Sequence, residues 1–166
     1  DEGAAYVATA AGITRIALAE GHETKLLTGA SAPCAMIRDG RRLFWTSITA
    51  PAPSSTTAFP ATGSVLELPL DGGDLKTVAS GSFSACALAA DAEHLWFATT
   101  VDAQPVLSSG ASTSTPGLGL MRAPIRGGEP SLVPGAKNAL AQPGSIAVDQ
   151  RHVYWLTSSA VLRLPK

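Results

Sequence analysis

Apolar and polar residues alternate in short runs along this chain, and the runs return. Cys34-Ala-Met-Ile-Arg-Asp39 is followed by Leu43-Phe-Trp-Thr46, Cys86-Ala-Leu-Ala-Ala-Asp91 by Leu95-Trp-Phe-Ala98, and Gly144-Ser-Ile-Ala-Val-Asp149 by Val153-Tyr-Trp-Leu156. In each copy the apolar triplet begins at the same offset from the aspartate. A second run follows: Val65-Leu-Glu-Leu-Pro-Leu-Asp-Gly-Gly73, Leu120-Met-Arg-Ala-Pro-Ile-Arg-Gly-Gly128, Val161-Leu-Arg-Leu-Pro-Lys166 and a fainter Ile13-Thr-Arg-Ile-Ala-Leu-Ala-Glu-Gly21. A third comprises Lys25-Leu-Leu-Thr-Gly29, Lys76-Thr-Val-Ala-Ser-Gly81 and Ser131-Leu-Val-Pro-Gly135. The repeating unit is therefore four short strands, called A to D here. Gly, Pro, Asp and Ser punctuate them, and no helical apolar period lies between.

Such a unit is an antiparallel meander, which cannot bury both of its faces alone. Stacking meanders around an axis buries them, and the expected fold is all-β, a β-propeller with radial four-stranded blades. Asp39 and Asp91 stand 52 residues apart, and Asp91 and Asp149 stand 58 apart. Propeller units run about 40 to 50 residues before insertions. The expected division is a partial blade over 3–30, blades over 31–82 and 83–138, and a partial blade over 139–166. The first lacks strand A and the last lacks strand D, so the four units read as part of a larger six- to eight-bladed propeller. Open sheet edges are otherwise an aggregation hazard.

Charge narrows the choice of partners. Charged residues are 15% of the chain and the net charge is −1, which gives no basic footprint for nucleic acid. No apolar run approaches 18 residues, so membrane insertion is not expected, and neither is a signal peptide within the chain as it stands.

The repeat resembles blades of bacterial secreted propellers of the YWTD, NHL and TolB-like groups. The matching stretches are Ile146-Ala-Val-Asp149, Val153-Tyr-Trp155 and Leu120 to Gly128. The strands Phe44-Trp-Thr-Ser47, Trp96-Phe-Ala-Thr99 and Tyr154-Trp-Leu-Thr157 lack the aspartate that ends the YWTD phrase. The resemblance implies a fold far more than an activity.

Each recurring residue type has a structural reading. Trp45, Trp96 and Trp155 alternate with Phe44, Phe97 and Tyr154 along B strands, as residues burying against neighbouring blades do. His94 and His152 share their position with Arg42, which fits a turn-flanking role better than metal ligation. Asp39, Asp91 and Asp149 precede the A-to-B turn, where an aspartate accepts hydrogen bonds from backbone N–H groups two residues on. Gly72-Gly73 and Gly127-Gly128 precede no helix, so they read as hairpin glycines and not phosphate loops. No Gly-x-Ser-x-Gly elbow or His-Glu-x-x-His motif occurs, and the remaining histidine, His22, falls in a hairpin turn. No catalytic residue, metal site or cofactor is expected. An enzyme assembled from several blades stays an alternative reading.

Cys34 and Cys86 hold the same repeat position on adjacent units, each five residues before the aspartate. Neighbouring inner strands approach closely enough to expect a disulfide between them, with two buried free thiols as the alternative. A bridge fits an oxidising, extracytoplasmic location: periplasm, cell surface or outside the cell.

Two B-to-C connections are long, over 49–63 and 101–118, and rich in Pro, Ser, Thr and Gly. Loops on a rigid scaffold carry binding. The candidate binding residues are Ser54, Thr56, Phe59, Gln104, Leu107, Ser109 and Thr115, and the expected function is a binding or scaffold module with a protein or glycan partner. Further blades in the same or another chain are the other expected partner. The alternative is a piece of a propeller lyase or hydrolase with an axial site.

Overall fold

The computed structural model describes residues 3–29, 33–49, 62–81, 84–101, 117–136, 145–156 and 160–166. They form fourteen strands in four antiparallel sheets. The first sheet is β1 (Ala4–Thr9), β2 (Gly12–Ala17) and β3 (Glu23–Thr28). The second is β4 (Pro33–Asp39), β5 (Arg42–Thr49), β6 (Thr62–Pro69) and β7 (Lys76–Gly81). The third is β8 (Ser84–Ala90), β9 (His94–Val101), β10 (Gly117–Pro124) and β11 (Ser131–Leu132). The fourth is β12 (Ile146–Val148), β13 (His152–Leu156) and β14 (Val161–Pro165). In every sheet, sequence order is also spatial order, as a meander requires.

The turns follow from local chemistry. Asp91 Oδ1 accepts from the backbone N–H of Glu93 and His94, and Asp149 Oδ1 does the same for Arg151 and His152. These aspartates fix the A-to-B hairpins as their position predicts. The C-to-D turns use paired glycines at positive φ: Gly73 at 143° and Gly128 at 152°. A side chain there meets Pro69 or Pro124 respectively, at 3.2 Å, so both space and backbone angle disfavour one.

Packing between the sheets follows strand alternation. On the B strands, residues in phase with Leu43 and Trp45 face the preceding sheet, while those in phase with Phe44 face the following one. Leu43, Trp45, Leu68 and Ile13 thus close the seam between sheets one and two. Phe44, Val65, Val78, Leu88, Leu95, Phe97 and Ile125 close the seam between two and three. Trp96, Leu120, Val153 and Trp155 close the seam between three and four. Burying such aromatics contributes about 2–3 kcal/mol each. Tyr154 departs from the expected burial: it faces away from sheet three and is only half-buried. Sheets one and four share no contact among the described residues, so the four sheets form an open series.

Candidate binding site

Strand register brings one set of connections to a single end of the sheets. Thr49 pairs with Thr62, Val101 with Gly117, Gly63 with Gly81, and Ser84 with Thr100. Both long insertions therefore depart from the end where β4 and β8 begin. Ser54, Thr56, Phe59, Gln104, Leu107, Ser109 and Thr115 lie outside the described residues; the structure places only the strand ends that carry them.

At this end Cys34 and Cys86 are joined by a disulfide, with Cα atoms 4.8 Å apart. Each cysteine falls where its strand slips register against its partner, between Pro33 and Met36 in β4 and between Ala85 and Ala87 in β8. A bulge re-aims one side chain out of the alternating pattern. The two matched irregularities turn both sulfurs from the sheet faces toward one another, and the bridge ties sheet two to sheet three beside the loop anchors.

The opposite end holds a cavity of about 720 Å³ between sheets three and four, whose walls combine the apolar Ala90, Trp96 and Val148 with the charged Asp91, Asp149 and Lys166. Its volume is in the range of small-ligand sites. Asp91 is its most heavily engaged group. Besides the two backbone N–H groups on Oδ1, its Oδ2 accepts from Trp96 Nε1 at 2.9 Å and meets Lys166 Nζ at 2.6 Å. The same ammonium lies 6.0 Å from the Trp96 ring centroid. Burial pushes the Asp91 carboxyl up. Its hydrogen bonds from Lys166, the two backbone groups and Trp96 outweigh that and hold it well below the usual carboxylate range.

Asp149 repeats the arrangement without a lysine. The Arg151 backbone N–H, the Tyr154 hydroxyl at 2.8 Å and the His152 backbone N–H lower its carboxyl to about 2. The hydrogen bond to Asp149 in turn raises the Tyr154 hydroxyl. Asp39 completes the series: Phe44 has no donor, and the carboxylate takes Arg42 at 2.6 Å instead. Arg42 lies over the Phe44 ring at 5.0 Å, as His94 and His152 lie against Trp96 and Tyr154. Arginine and histidine thus hold equivalent places, each between an aspartate and a ring.

With their carboxyls lowered, Asp91 and Asp149 are fixed anions at neutral pH, suited to structure and charge recognition and poor as proton donors. Among the described residues, no group of three His, Cys, Asp or Glu side chains is placed to hold a metal ion. The constellation of Lys166, Asp91 and Trp96 is the feature that sequence reasoning passed over. A signal for it exists: Leu18, Leu70 and Ile125 stand where Lys166 stands in the other copies.

No family model and no curated protein sequence matches the chain. Among solved structures, the crystal structure of the tricorn protease is similar, with a TM-score of 0.61 at 10% identity. The match covers 89% of this chain and 17% of that one. The likeness is one of fold, and the fold is propeller-like.

Proposed function

We propose that the chain is an extracytoplasmic binding or scaffold module, four consecutive blades of a larger β-propeller, that meets a protein or glycan partner through loops 49–63 and 101–118. The observation carrying this reading is that both loop anchors leave one end of two adjacent sheets beside the Cys34–Cys86 bridge. A cross-linked, apolar-packed platform holds loop ends at fixed separation, which lowers the ordering cost of binding. The disulfide fits an oxidising compartment.

A propeller lyase or hydrolase is the second reading, and the cavity between sheets three and four is what favours it. Its central carboxylate, Asp91, is committed to four partners, so the cavity is better suited to holding a charged ligand than to moving a proton. The name of the tricorn protease denotes a protease, but a likeness of fold carries no activity across.

Removing residues 50–61 and 103–116 tests the proposal. On arrays of glycans and displayed peptides, the intact chain is expected to bind at least one class, and the doubly shortened chain to lose at least tenfold in affinity with its melting temperature unchanged. Unchanged binding by the shortened chain refutes it.

A further inference from the structure

We propose that the Cys34–Cys86 disulfide is a thiol–disulfide exchange site in the folded chain, taking two electrons from a dithiol and re-forming under oxidant. The site stands whether or not the loops beside it meet a partner.

The bridge is attached to the fold without being packed into it. Both cysteines are exposed, although they belong to sheets two and three, each of which is packed between two others. The bulges account for this. Strict alternation turns residues 85 and 87 to the same face of a strand. In β8 the slip in register sends Ala85 into the seam between sheets two and three and Ala87 into the seam between three and four. Cys86, between them, faces neither seam. Both β4 and β8 are edge strands of their sheets, so the displaced side chains leave from the sheet margins. Exchange requires that an attacking thiolate reach a sulfur, and exposed disulfides are the labile ones.

The seam beneath has packing of its own. Phe44, Val65, Leu95 and Phe97 are fully buried in it without contribution from the sulfurs. Beside Cys34, the N–H of Ala35 donates to Thr46 Oγ1 at 3.1 Å, and Thr46 is itself buried. That hydrogen bond holds the bulge in β4, and Cys34 keeps its place when the sulfur–sulfur bond breaks.

The two sulfurs are the only groups of the chain that the reaction needs. A thiolate of the dithiol attacks one sulfur, and the electron pair of the broken bond leaves on the other cysteine as a thiolate. The second thiol of the dithiol attacks the mixed disulfide, closes a disulfide within the former dithiol and releases the first cysteine. The two protons given up by the dithiol pass to the two cysteines. The dithiol is oxidised and the bridge reduced, and β4 and β8 are no longer linked. Both long loops leave from this end, so the state of the bridge sets how rigidly their anchors are spaced.

Reduction by dithiothreitol at neutral pH without denaturant tests the proposal, with free thiols trapped by iodoacetamide and located by peptide mass spectrometry. The expected rate is within about tenfold of that for the chain unfolded in guanidinium, since access is already present in the folded state. Exchange that waits for global unfolding is slower by about a thousandfold or more. Circular dichroism is expected to keep its strand signal after reduction, and oxidised glutathione to restore the Cys34–Cys86 bridge. Amide hydrogen exchange is expected to quicken in β4 and β8 and to stay unchanged in β13 and β14. Reduction at the rate of global unfolding, loss of the strand signal, or failure of the bridge to re-form overturns the inference. So does exchange quickened equally in all four sheets, which assigns the bridge a global structural role and no more.

Discussion

The seam between sheets two and three and the seam between sheets three and four are built from the same repeat, yet they end differently. In the first, Ile125 fills the hairpin end and Cys34–Cys86 clamps the loop end. In the second, Lys166 takes the place of Ile125, and an ion pair with Asp91 and a cavity occupy that end. Gly144 stands in the sequence where the other copies carry cysteine. The shared alternation of apolar residues builds both seams. The ends, where alternation no longer dictates residue type, are where one seam became dry and cross-linked and the other polar and open.

The largest effect expected on this contrast comes from removing the clamp. Replacing Cys34 and Cys86 by serine opens a loop closed across 52 residues of sequence, for which chain entropy predicts a loss on the order of 4 kcal/mol. Calorimetry is expected to show a lower melting temperature with the same strand content by circular dichroism. An unchanged melting temperature shows that the disulfide does not stabilise the first seam.

A smaller effect is expected at the polar end. The Asp91 carboxyl is held below its ordinary 3.8 in the folded chain, so its interactions stabilise fully above that value and are lost as the pH falls through the lower folded one. Lys166→Met keeps the stem and removes the charge. It is expected to cost less than about 1 kcal/mol at neutral pH, as a partly exposed ion pair does. The difference in melting temperature from the native chain should vanish in strong acid, where Asp91 is protonated in both. A difference independent of pH assigns Lys166 a packing role only.

The smallest effect concerns a third seam. Trp45 is fully buried and its Nε1 has no hydrogen-bond partner, while Phe97 holds the equivalent position between sheets two and three. An unsatisfied buried donor costs about 1–3 kcal/mol, which offsets most of what the larger ring gains by burial. Trp45→Phe is therefore expected to change stability by less than about 1 kcal/mol in denaturant titration. A loss of several kcal/mol shows that the indole shape, and not merely an aromatic ring, holds that seam.

The amino-acid sequence by itself determined the strands, their order, the hairpin aspartates and the phase-matched cysteines, because these depend on residues near one another in the chain or on a repeat visible as a repeat. Alternation assigns Leu43 and Phe44 to opposite faces wherever the sheet is placed, and an aspartate three residues before a strand caps its own turn. The tertiary structure alone decided what lies across each seam: that bulges aim Cys34 at Cys86, that Lys166, beyond the end of β14, reaches Asp91 in the preceding sheet, and that Val161 and Val7 face outward where their counterparts are covered. A strand's own residues fix which way a side chain points, but only the neighbouring sheet fixes what it meets.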